Sequence, residues 1–326
     1  MSEIYLIAEI GINHEGSIEK CAQMIEQASK VGAHAVKLQT SNPEKAYLKS
    51  SPSYKIFKDT QLSKEETSKM FEYAKSLKID IFTTVSDEET ASWVSKLKPS
   101  AWKISSGLLN HIPLIEHLCL YEEPIFLSTG MALLKDVDIA VEIIKQNKKN
   151  STLFQCTSEY PLNDYNANLN AIPFFKERYN LEIGYSDHST SNYICQLAVA
   201  TGAKKIEKHF TFDKNRPGHD HAISGNMKDF ANLLNELNKT NKILGKYEKT
   251  KSEAILSARN NFLRYLVASK DLESGKVLEF TDFEVKRVTP GDLGVQPFEL
   301  NRIIGKKLKN SKLINQIIKQ EDIINF

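Results

Sequence analysis

Short runs of β-branched and aliphatic residues recur between residues 5 and 207, and each is followed by a stretch with helical spacing of its apolar residues. This alternation is typical of parallel β/α units. The eight predicted strands are Tyr5–Glu9, Ala35–Gln39, Asp80–Thr84, Trp102–Ser105, Pro124–Ser128, Thr152–Cys156, Leu181–Tyr185 and Ala203–Glu207. Between the first two, the segment Ser17–Val31 has apolar residues at three- and four-residue spacing, which gives one helical face that can pack on a sheet.

Eight such units match the size of a (β/α)8 barrel, although an open doubly wound sheet has the same periodicity. The positions of the polar residues favour the barrel, because polar or ionisable side chains follow nearly every predicted strand. They include Glu9, Lys37, Gln39, Thr84, Lys103, Ser106, Ser128, Ser158, Ser186, His188, Glu207 and His209. In a closed barrel these strand ends meet at one mouth, whereas an open sheet would leave several of them apart.

The pattern changes after Leu244. A polar stretch over residues 245–261 predicts a helical linker, and short strands are then predicted in FLRYLVAS, KVLEF and FEVKRV, separated by Gly and Asp turns. We therefore predict a catalytic barrel over residues 1–244, a linker over 245–261 and a small β-rich domain over 262–326.

Composition excludes several classes of function. The 43 Lys and Arg residues are scattered and balanced by 41 Asp and Glu, which argues against nucleic acid as a partner. The N-terminus lacks the basic region of a signal peptide, and no stretch reaches the ~18 apolar residues of a membrane span. The four cysteines form no CxxC pair and indicate reduced thiols. We expect a cytoplasmic protein.

Two histidines follow adjacent predicted strands, His188 in GYSDHS and His209 in EKHFT. Neutral imidazoles are common ligands of divalent metals, and two of them leave open positions for water and substrate. Both are therefore candidate metal ligands. The alternative is structural, with one histidine capping a helix and the other hydrogen-bonded in the core.

Two lysines, Lys37 and Lys103, lie near strand ends among the hydroxyls of Thr84, Ser106 and Ser128. Ammonium groups and hydroxyls together suit a small ligand with several negative charges, such as a phosphorylated carboxylic acid. The alternative is that the lysines form salt bridges with Glu9 or Glu207 at the barrel mouth. These two glutamates can also act as proton acceptors if burial and a metal tune their pKa values.

The chain resembles the sialic acid synthases and their legionaminic and pseudaminic acid relatives. The motifs that carry the resemblance occur in the family's order and at similar spacing: AEIGINHEGS, VKLQT, KISSG, PIFLSTGM, CTSEYP, GYSDHS, EKHFTFDKNRPGHDH and KRVTPGDLGV. The resemblance implies a (β/α)8 TIM barrel joined to a C-terminal antifreeze-like (SAF) domain. It also implies a domain-swapped homodimer, in which the small domain of one subunit covers the barrel mouth of the other.

The resemblance further implies a reaction. Phosphoenolpyruvate condenses with the open-chain aldehyde of an N-acetylmannosamine-type sugar to give a nonulosonic acid and phosphate, with a divalent metal, usually Mn²⁺ or Mg²⁺. His188 and His209 match the metal ligands, and the metal would polarise the aldehyde toward attack by C3 of phosphoenolpyruvate. Glu9, Glu207 and Lys103 match the catalytic residues.

Substrate contacts carry over in the same way. The residues that match phosphoenolpyruvate contacts are Lys37, Thr84, Lys103, Ser106, Ser128, Ser158 and Ser186. Those that match sugar contacts are Tyr160, Asp220 and Arg287, the last being lent by the partner subunit to the sugar amide.

The chain departs from the family pattern on the sugar side. Leu108 stands where the family usually has an acid, Ser158 stands where the sialic acid branch often has Asn, and the loop around Lys49–Tyr54 lacks the sugar-binding asparagine of some members. Loss of a hydrogen-bond acceptor at Leu108 favours a deoxy or more acylated sugar.

Two other functions remain open from the residues alone. One is a metal-dependent aldolase or hydrolase on the same barrel that does not use phosphoenolpyruvate, which leaves Lys103 and Ser106 without a role. The other is a carbohydrate-binding or structural protein with an inactive barrel, against which the histidine pair and the two lysines argue.

Overall fold

The computed structural model describes residues 3–147, 149–218 and 220–326, and the chain forms two compact units, Met1–Gly245 and Lys246–Phe326. In the described part of the first unit, parallel strands close a barrel in the order β1 to β8, with β8 pairing back to β1. The strands are β1 Tyr5–Gly11, β2 Ala35–Thr40, β3 Asp80–Val85, β4 Trp102–Ile104, β5 Ile125–Ser128, β6 Ser151–Cys156, β7 Glu182–Asp187 and β8 Lys205–His209. The predicted strands and the closed barrel are thus confirmed, and the open sheet is excluded.

Helices follow the strands around this barrel, and most of them bury an apolar face against it. In the first unit they are α1 Ile18–Lys30, α2 Pro43–Ala46, α3 Pro52–Thr60, α4 Lys64–Ser76, α5 Glu88–Val94, α6 Ile112–Leu118, α7 Leu134–Gln146, α8 Ala171–Tyr179, α9 Tyr193–Ala200 and α10 Met227–Leu244. Helix α1 begins where Ser17 accepts a hydrogen bond from the Lys20 amide, and it buries Cys21, Met24 and Ile25 as its spacing predicts. Across the described residues, no helix combines the length and apolar character needed to span a bilayer.

Inside the barrel an apolar layer supports a polar one. The apolar layer comprises Ile7, Ala35, Phe82, Ala101, Phe126 and Phe154. Because side chains of a strand alternate between its two faces, the residue two positions further along points to the same side. Those next residues are Glu9, Lys37, Thr84, Lys103, Ser128 and Cys156. The alternation therefore places a ring of mostly polar side chains directly above a closed apolar plug.

The second unit contains α11 Glu253–Phe262, β9 Arg264–Ala268, β10 Phe283–Arg287 and α12 Leu300–Ile303, with β9 and β10 antiparallel. Its core includes Leu266, Leu278 and Ile318. Helix α11 begins in the segment 245–261 predicted as a helical linker and ends one residue beyond it, at Phe262. The strand predicted in KVLEF is wrong: Val277 makes one isolated bridge to Lys307, and the chain then enters a 3-10 turn over Phe280–Asp282. The reason is local, because the buried Asp282 carboxylate accepts from the Glu279 amide at 2.9 Å and turns the chain.

Candidate active site

A cavity of about 960 Å³ opens at the carboxyl ends of the barrel strands. Most of the predicted site residues line it: Glu9, Lys37, Thr84, Ser106, Ser158, Tyr160, Ser186, His188, Glu207, His209 and Asp220. Lys103 and Ser128 are buried in the polar layer of the barrel interior. Arg287 lies on β10 in the second unit, where its guanidinium packs 5.2 Å from the centre of the Phe262 ring.

Glu207 is the centre of the polar layer. One carboxylate oxygen accepts from Lys37 Nζ at 2.9 Å and from Ser186 Oγ at 3.0 Å, and the other accepts from Lys103 Nζ at 2.6 Å. Burial favours the neutral carboxyl, but the ammonium groups of Lys103 and Lys37 outweigh it and hold the pKa of Glu207 well below its usual range. Glu207 is therefore ionised at neutral pH. The salt bridges between the two lysines and Glu207, which the sequence offered as the alternative to ligand binding, are therefore present.

Glu9 differs sharply from Glu207, although both are buried. Its Oε1 accepts from Gln39 Nε2 at 2.9 Å, and its Oε2 lies 3.3 Å from Lys37 Nζ. Burial raises the pKa of Glu9 to about 7, with the Glu207 carboxylate adding to the shift and Lys37 opposing it. Two carboxyl groups in one layer thus differ in protonation near neutral pH, which is the arrangement that acid–base chemistry requires.

The two lysines also differ. For Lys37, burial favours the neutral amine, but the carboxylates of Glu207 and Glu9 prevail and raise its pKa. For Lys103, burial dominates and lowers the pKa to about 8, although Glu207 opposes the shift. The Lys103 ammonium also lies 4.4 Å from the centre of the Phe154 ring in the layer below. Both groups carry charge at neutral pH, and Lys103 is close to losing its own.

Several hydroxyls of the site have no protein partner. Within the described residues, Thr84 Oγ1, Ser128 Oγ and Ser158 Oγ are buried atoms without a hydrogen bond. Ser106 Oγ, by contrast, accepts from the Gly130 amide at 2.8 Å. Buried hydroxyls are normally paired, so unpaired ones beside a cavity indicate a place for a ligand or water.

His188 and His209 lie together at the mouth, with ring centres 5.6 Å apart. His188 Nδ1 lies 2.8 Å from the Thr157 carbonyl oxygen. Because a carbonyl only accepts, Nδ1 carries the proton, and Nε2 keeps a lone pair for a metal. Burial, together with the neighbouring histidine, lowers the pKa of His188 to about 4, and burial with Lys37 lowers the pKa of His209 to about 3. Both rings are neutral at physiological pH.

This pair fits a divalent metal in its chemistry. His209 Nδ1 makes no hydrogen bond within the described part of the chain, and Asp220 Oδ2 lies 3.6 Å from it. Across the described residues, no cluster of three or more His, Cys, Asp or Glu side chains is arranged to hold a metal. The two imidazoles therefore leave most coordination positions to water and substrate, as in open catalytic sites. His209 is the last residue of β8 rather than beyond it, because that strand begins and ends two residues later than predicted.

Tyr160 and Asp220 stand on the outer side of the histidines. The Tyr160 ring stacks on His188 with ring centres 4.1 Å apart and remains half exposed to the cavity. The Asp220 amide donates to Asn13 Oδ1 at 3.1 Å, which ties the loop after β8 to the loop after β1. Both residues are thus next to the metal candidates, where a second substrate would meet them.

The geometry agrees with comparisons to known proteins. The model of the NeuB family matches residues 24–249. The chain belongs to the NeuB family. An N,N'-diacetyllegionaminic acid synthase of Legionella pneumophila is 34% identical over 323 residues, covering 93% of this chain and 90% of the relative. A pseudaminic acid synthase of Campylobacter jejuni is 31% identical over 335 residues, covering 98% of this chain and 96% of the relative.

A solved structure is similar at the same level. The N-acetylneuraminic acid (sialic acid) synthetase of Leptospira borgpetersenii, determined in complex with citrate, superposes with a TM-score of 0.77 at 32% identity. The match covers 80% of this chain and 93% of that one. The resemblance stated from sequence motifs is therefore confirmed at the level of the family and of the barrel.

One wall of this NeuB-family cavity was predicted from the sequence only at Leu108. Apolar side chains of α3 and of the segments after β4 and β5 line it, among them Ile56, Phe57, Leu108 and Met131. The Phe57 ring stacks on Tyr47 with ring centres 5.1 Å apart. Helices α2 and α3 are short insertions between β2 and α4. The spacing of their apolar residues does not indicate that they lie next to the carboxyl ends of the strands.

Gly130 was also missed. A Cβ atom at this position would lie 2.6 Å from Ser158 Oγ, 2.8 Å from Ser106 Oγ and 2.9 Å from Cys156 Sγ. Only a residue without a side chain allows these three groups to converge, so Gly130 shapes the cavity through the side chains of Ser106, Cys156 and Ser158, which line it. The signal available in the sequence was its place directly after Ser128 and Thr129 at a strand end.

Proposed function

We propose that this NeuB-family chain condenses phosphoenolpyruvate with the open-chain aldehyde of an N-acetylmannosamine-type amino sugar, giving a nonulosonic acid and phosphate. The observation that carries the proposal is the polar layer, in which Lys37 and Lys103 stand beside the unpaired hydroxyls of Thr84, Ser128 and Ser158. Such a set suits a small ligand that carries both a phosphate and a carboxylate. The synthases of Legionella and Campylobacter support the same reaction.

In this proposal the polar layer holds phosphoenolpyruvate by both of its ends. Lys37, Thr84 and Ser128 bind the carboxylate region, and the phosphate meets Lys103 with the hydroxyls of Ser106, Ser158 and Ser186. Hydrogen bonds to charged ligands are worth about 1.5–3 kcal/mol each, so a few of them fix the orientation of the enol. The apolar plug lies below the bound enol, so the second substrate and water reach it from the mouth of the barrel.

His188 and His209 would hold a divalent cation, Mn²⁺ or Mg²⁺. When bound, the cation supplies Lewis-acid polarisation of the aldehyde carbonyl. The protein's own part is to present two neutral imidazoles, one of them oriented by the Thr157 carbonyl oxygen. Tyr160 and Asp220 bind the sugar beside them.

The catalytic residues in this proposal are Glu9, Glu207 and Lys103. Attack by C3 of phosphoenolpyruvate on the aldehyde carbon makes the aldehyde oxygen an alkoxide and leaves C2 short of electrons. Water then adds to C2, one of its protons passes by way of Glu9 to the alkoxide, and the other leaves with phosphate as C2 becomes a ketone. Glu207, ionised and buried, stabilises the positive charge at C2. Glu9, whose pKa is about 7, accepts a proton from the water, and Lys103 neutralises the departing phosphate.

The remaining parts of the proposal concern the sugar and the assembly. Arg287 of a second subunit binds the sugar amide, which requires a domain-swapped homodimer with the second unit acting as an antifreeze-like (SAF) domain. The apolar wall with Ile56, Leu108 and Met131 favours a sugar that is deoxy or carries a further acyl group. A cytoplasmic location, where phosphoenolpyruvate is made, belongs to the same proposal.

Phosphate release from phosphoenolpyruvate tests the reaction. The purified chain is incubated with Mn²⁺ and either N-acetylmannosamine or its 6-deoxy di-N-acetyl analogue, with and without EDTA. We expect sugar-dependent phosphate release that EDTA abolishes, and faster turnover with the 6-deoxy sugar. Aldol cleavage or hydrolysis without phosphate release would instead support a metal-dependent aldolase or hydrolase. A clear preference for N-acetylmannosamine would reject the sugar assignment alone.

A further inference from the structure

Directly behind the two histidines, on the outer face of the barrel wall, Asp187 and Lys208 form an ion pair. They are register partners on β7 and β8, and each immediately precedes one of the histidines. Because neighbouring residues of a strand point to opposite faces, this pair points toward the surrounding helices while His209 points to the cavity. Both side chains are almost completely buried.

Further hydrogen bonds from this pair fix the segment that follows His188. Lys208 Nζ also donates to the carbonyl oxygens of Ser189 at 2.7 Å and Ser191 at 3.3 Å. The Asp187 carboxylate accepts from the Ser189 amide at 3.1 Å and from its hydroxyl at 3.0 Å. The chain is therefore anchored to β8 on both sides of His188.

Stability alone gives little reason for such a pair. The desolvation of two buried charges offsets most of their attraction, and well-packed apolar residues often serve stability equally well. What charges with several hydrogen bonds do provide is one defined arrangement of the elements they join. Residues that orient metal ligands from behind typically change metal affinity 10–100-fold when they are replaced.

We propose that Asp187 and Lys208 are positioning residues that fix the distance between His188 and His209, and thereby set the affinity of the site for a divalent cation. The inference rests on the metal site of the proposed function. It assigns to the outer face of β7 and β8 a role in a reaction that takes place on their inner face.

Mn²⁺ binding to the full chain, measured by isothermal titration calorimetry, tests the inference. We expect Lys208→Met to bind Mn²⁺ at least about tenfold more weakly. Turnover should return when the Mn²⁺ concentration is raised, and the KM for phosphoenolpyruvate at saturating Mn²⁺ should stay within about twofold. Asp187→Asn is the second variant, because its amide oxygen can still accept from the Ser189 amide, while the charge and the acceptor oxygen that bonds the Ser189 hydroxyl and Lys208 are lost. It replaces Lys208→Met if that variant does not fold.

Lys205→Met provides the matched control. Lys205 pairs with Glu182 on the same two strands, at the other end of the barrel. The Mn²⁺ affinity of the Lys205→Met variant should equal that of the unmodified chain, even if the melting temperature of the variant is lower. Unchanged Mn²⁺ affinity in Lys208→Met or Asp187→Asn, with a loss of melting temperature only, would overturn the inference. If His209→Ala binds Mn²⁺ as the unmodified chain does, the metal site of the proposed function fails instead.

Discussion

Replacing Gly130 by alanine should block the proposed phosphate site without unfolding the barrel. The added methyl carbon would lie 2.6 Å from Ser158 Oγ and 2.8 Å from Ser106 Oγ, well inside the ~3.5 Å of an ordinary contact. The obstacles are the small side chains of Ser106, Ser158 and Cys156, the last with its Sγ at 2.9 Å, so they can rotate aside. We therefore expect a destabilisation of about 1–3 kcal/mol, the usual cost of overpacking.

The effect on phosphoenolpyruvate should be larger. A hydroxyl that rotates away from the methyl group no longer reaches the phosphate, and a hydrogen bond to a charged group is worth about 1.5–3 kcal/mol. Since 1.4 kcal/mol is a factor of ten, kcat/KM for phosphoenolpyruvate should fall roughly 10- to 100-fold. The assay is steady-state phosphate release at saturating sugar and Mn²⁺, with the melting temperature measured alongside.

The matched control is Gly107→Ala. Gly107 lines the active-site cavity itself, but a Cβ atom there would meet only Met131, at 4.0 Å. This variant should retain kcat/KM for phosphoenolpyruvate within about twofold. Equal kcat/KM for phosphoenolpyruvate in the Gly130 and Gly107 variants would refute the assignment of Ser106 and Ser158 to the phosphate. A Gly130 variant in which only the KM for the sugar changes would refute it as well.

Three further predictions concern the polar layer. Thr84→Val removes a hydroxyl without a protein partner, so stability should hardly change while the KM for phosphoenolpyruvate rises about tenfold or more. The control Thr83→Val should lose stability and keep its KM, because Thr83 Oγ1 bonds Thr40 Oγ1 at 2.8 Å. A larger loss of stability in Thr84→Val by urea unfolding, or a larger rise of KM in Thr83→Val, would contradict this. Glu207→Gln removes the carboxylate that both buried lysines share, which, among the described residues, leaves Lys37 with Glu9 alone and Lys103 without an ion-pair partner. Urea unfolding should therefore show a loss of about 3–5 kcal/mol, and a loss below about 1 kcal/mol would argue against the ion pairs. The pKa of Glu9 is raised by burial from its ordinary 4.5 to about 7, so the folded state holds this proton more tightly and its contribution to stability is lost as pH rises from 4.5 through 7. The free energy of unfolding should therefore fall less over that range in Glu9→Gln than in the unmodified chain. If the free energy of unfolding depends on pH in the same way in both proteins, the raised pKa of Glu9 is excluded.

The sequence predicted the barrel well because each strand carries its own signal. On the inner face of the strands, an apolar residue is followed two positions later by a polar one, as Ile7 is by Glu9 and Phe82 by Thr84, and the polar member marks the carboxyl end. In the second unit, the alternation of buried and exposed residues led to the wrong prediction of a strand in KVLEF. There Leu278 is buried and Val277 is half exposed, as in a strand, but the capped turn at Asp282 ends the pairing after one bridge.

Parts of the site with no periodic signal could not be predicted. The apolar wall around Ile56 and Phe57 comes from α3, and its position over the mouth depends on how the loop after β2 folds back. Gly130 acts through the absence of a side chain. The Asp187–Lys208 pair follows from the strand register, which the sequence does not fix until the barrel is closed.

The two roles that the sequence offered as alternatives for the lysines depend on one another. A receptor for a phosphorylated acid needs both ammonium groups charged, yet burial alone works against charge on Lys37 and Lys103. Glu207 bonds both of them and opposes that effect, and even so the pKa of Lys103 is only about 8. Without Glu207, Lys103 would lose its proton near neutral pH. The salt bridges therefore preserve the positive charge of the proposed phosphate site. An entering anion must in turn compete with the Glu207 carboxylate for the ammonium groups of Lys37 and Lys103.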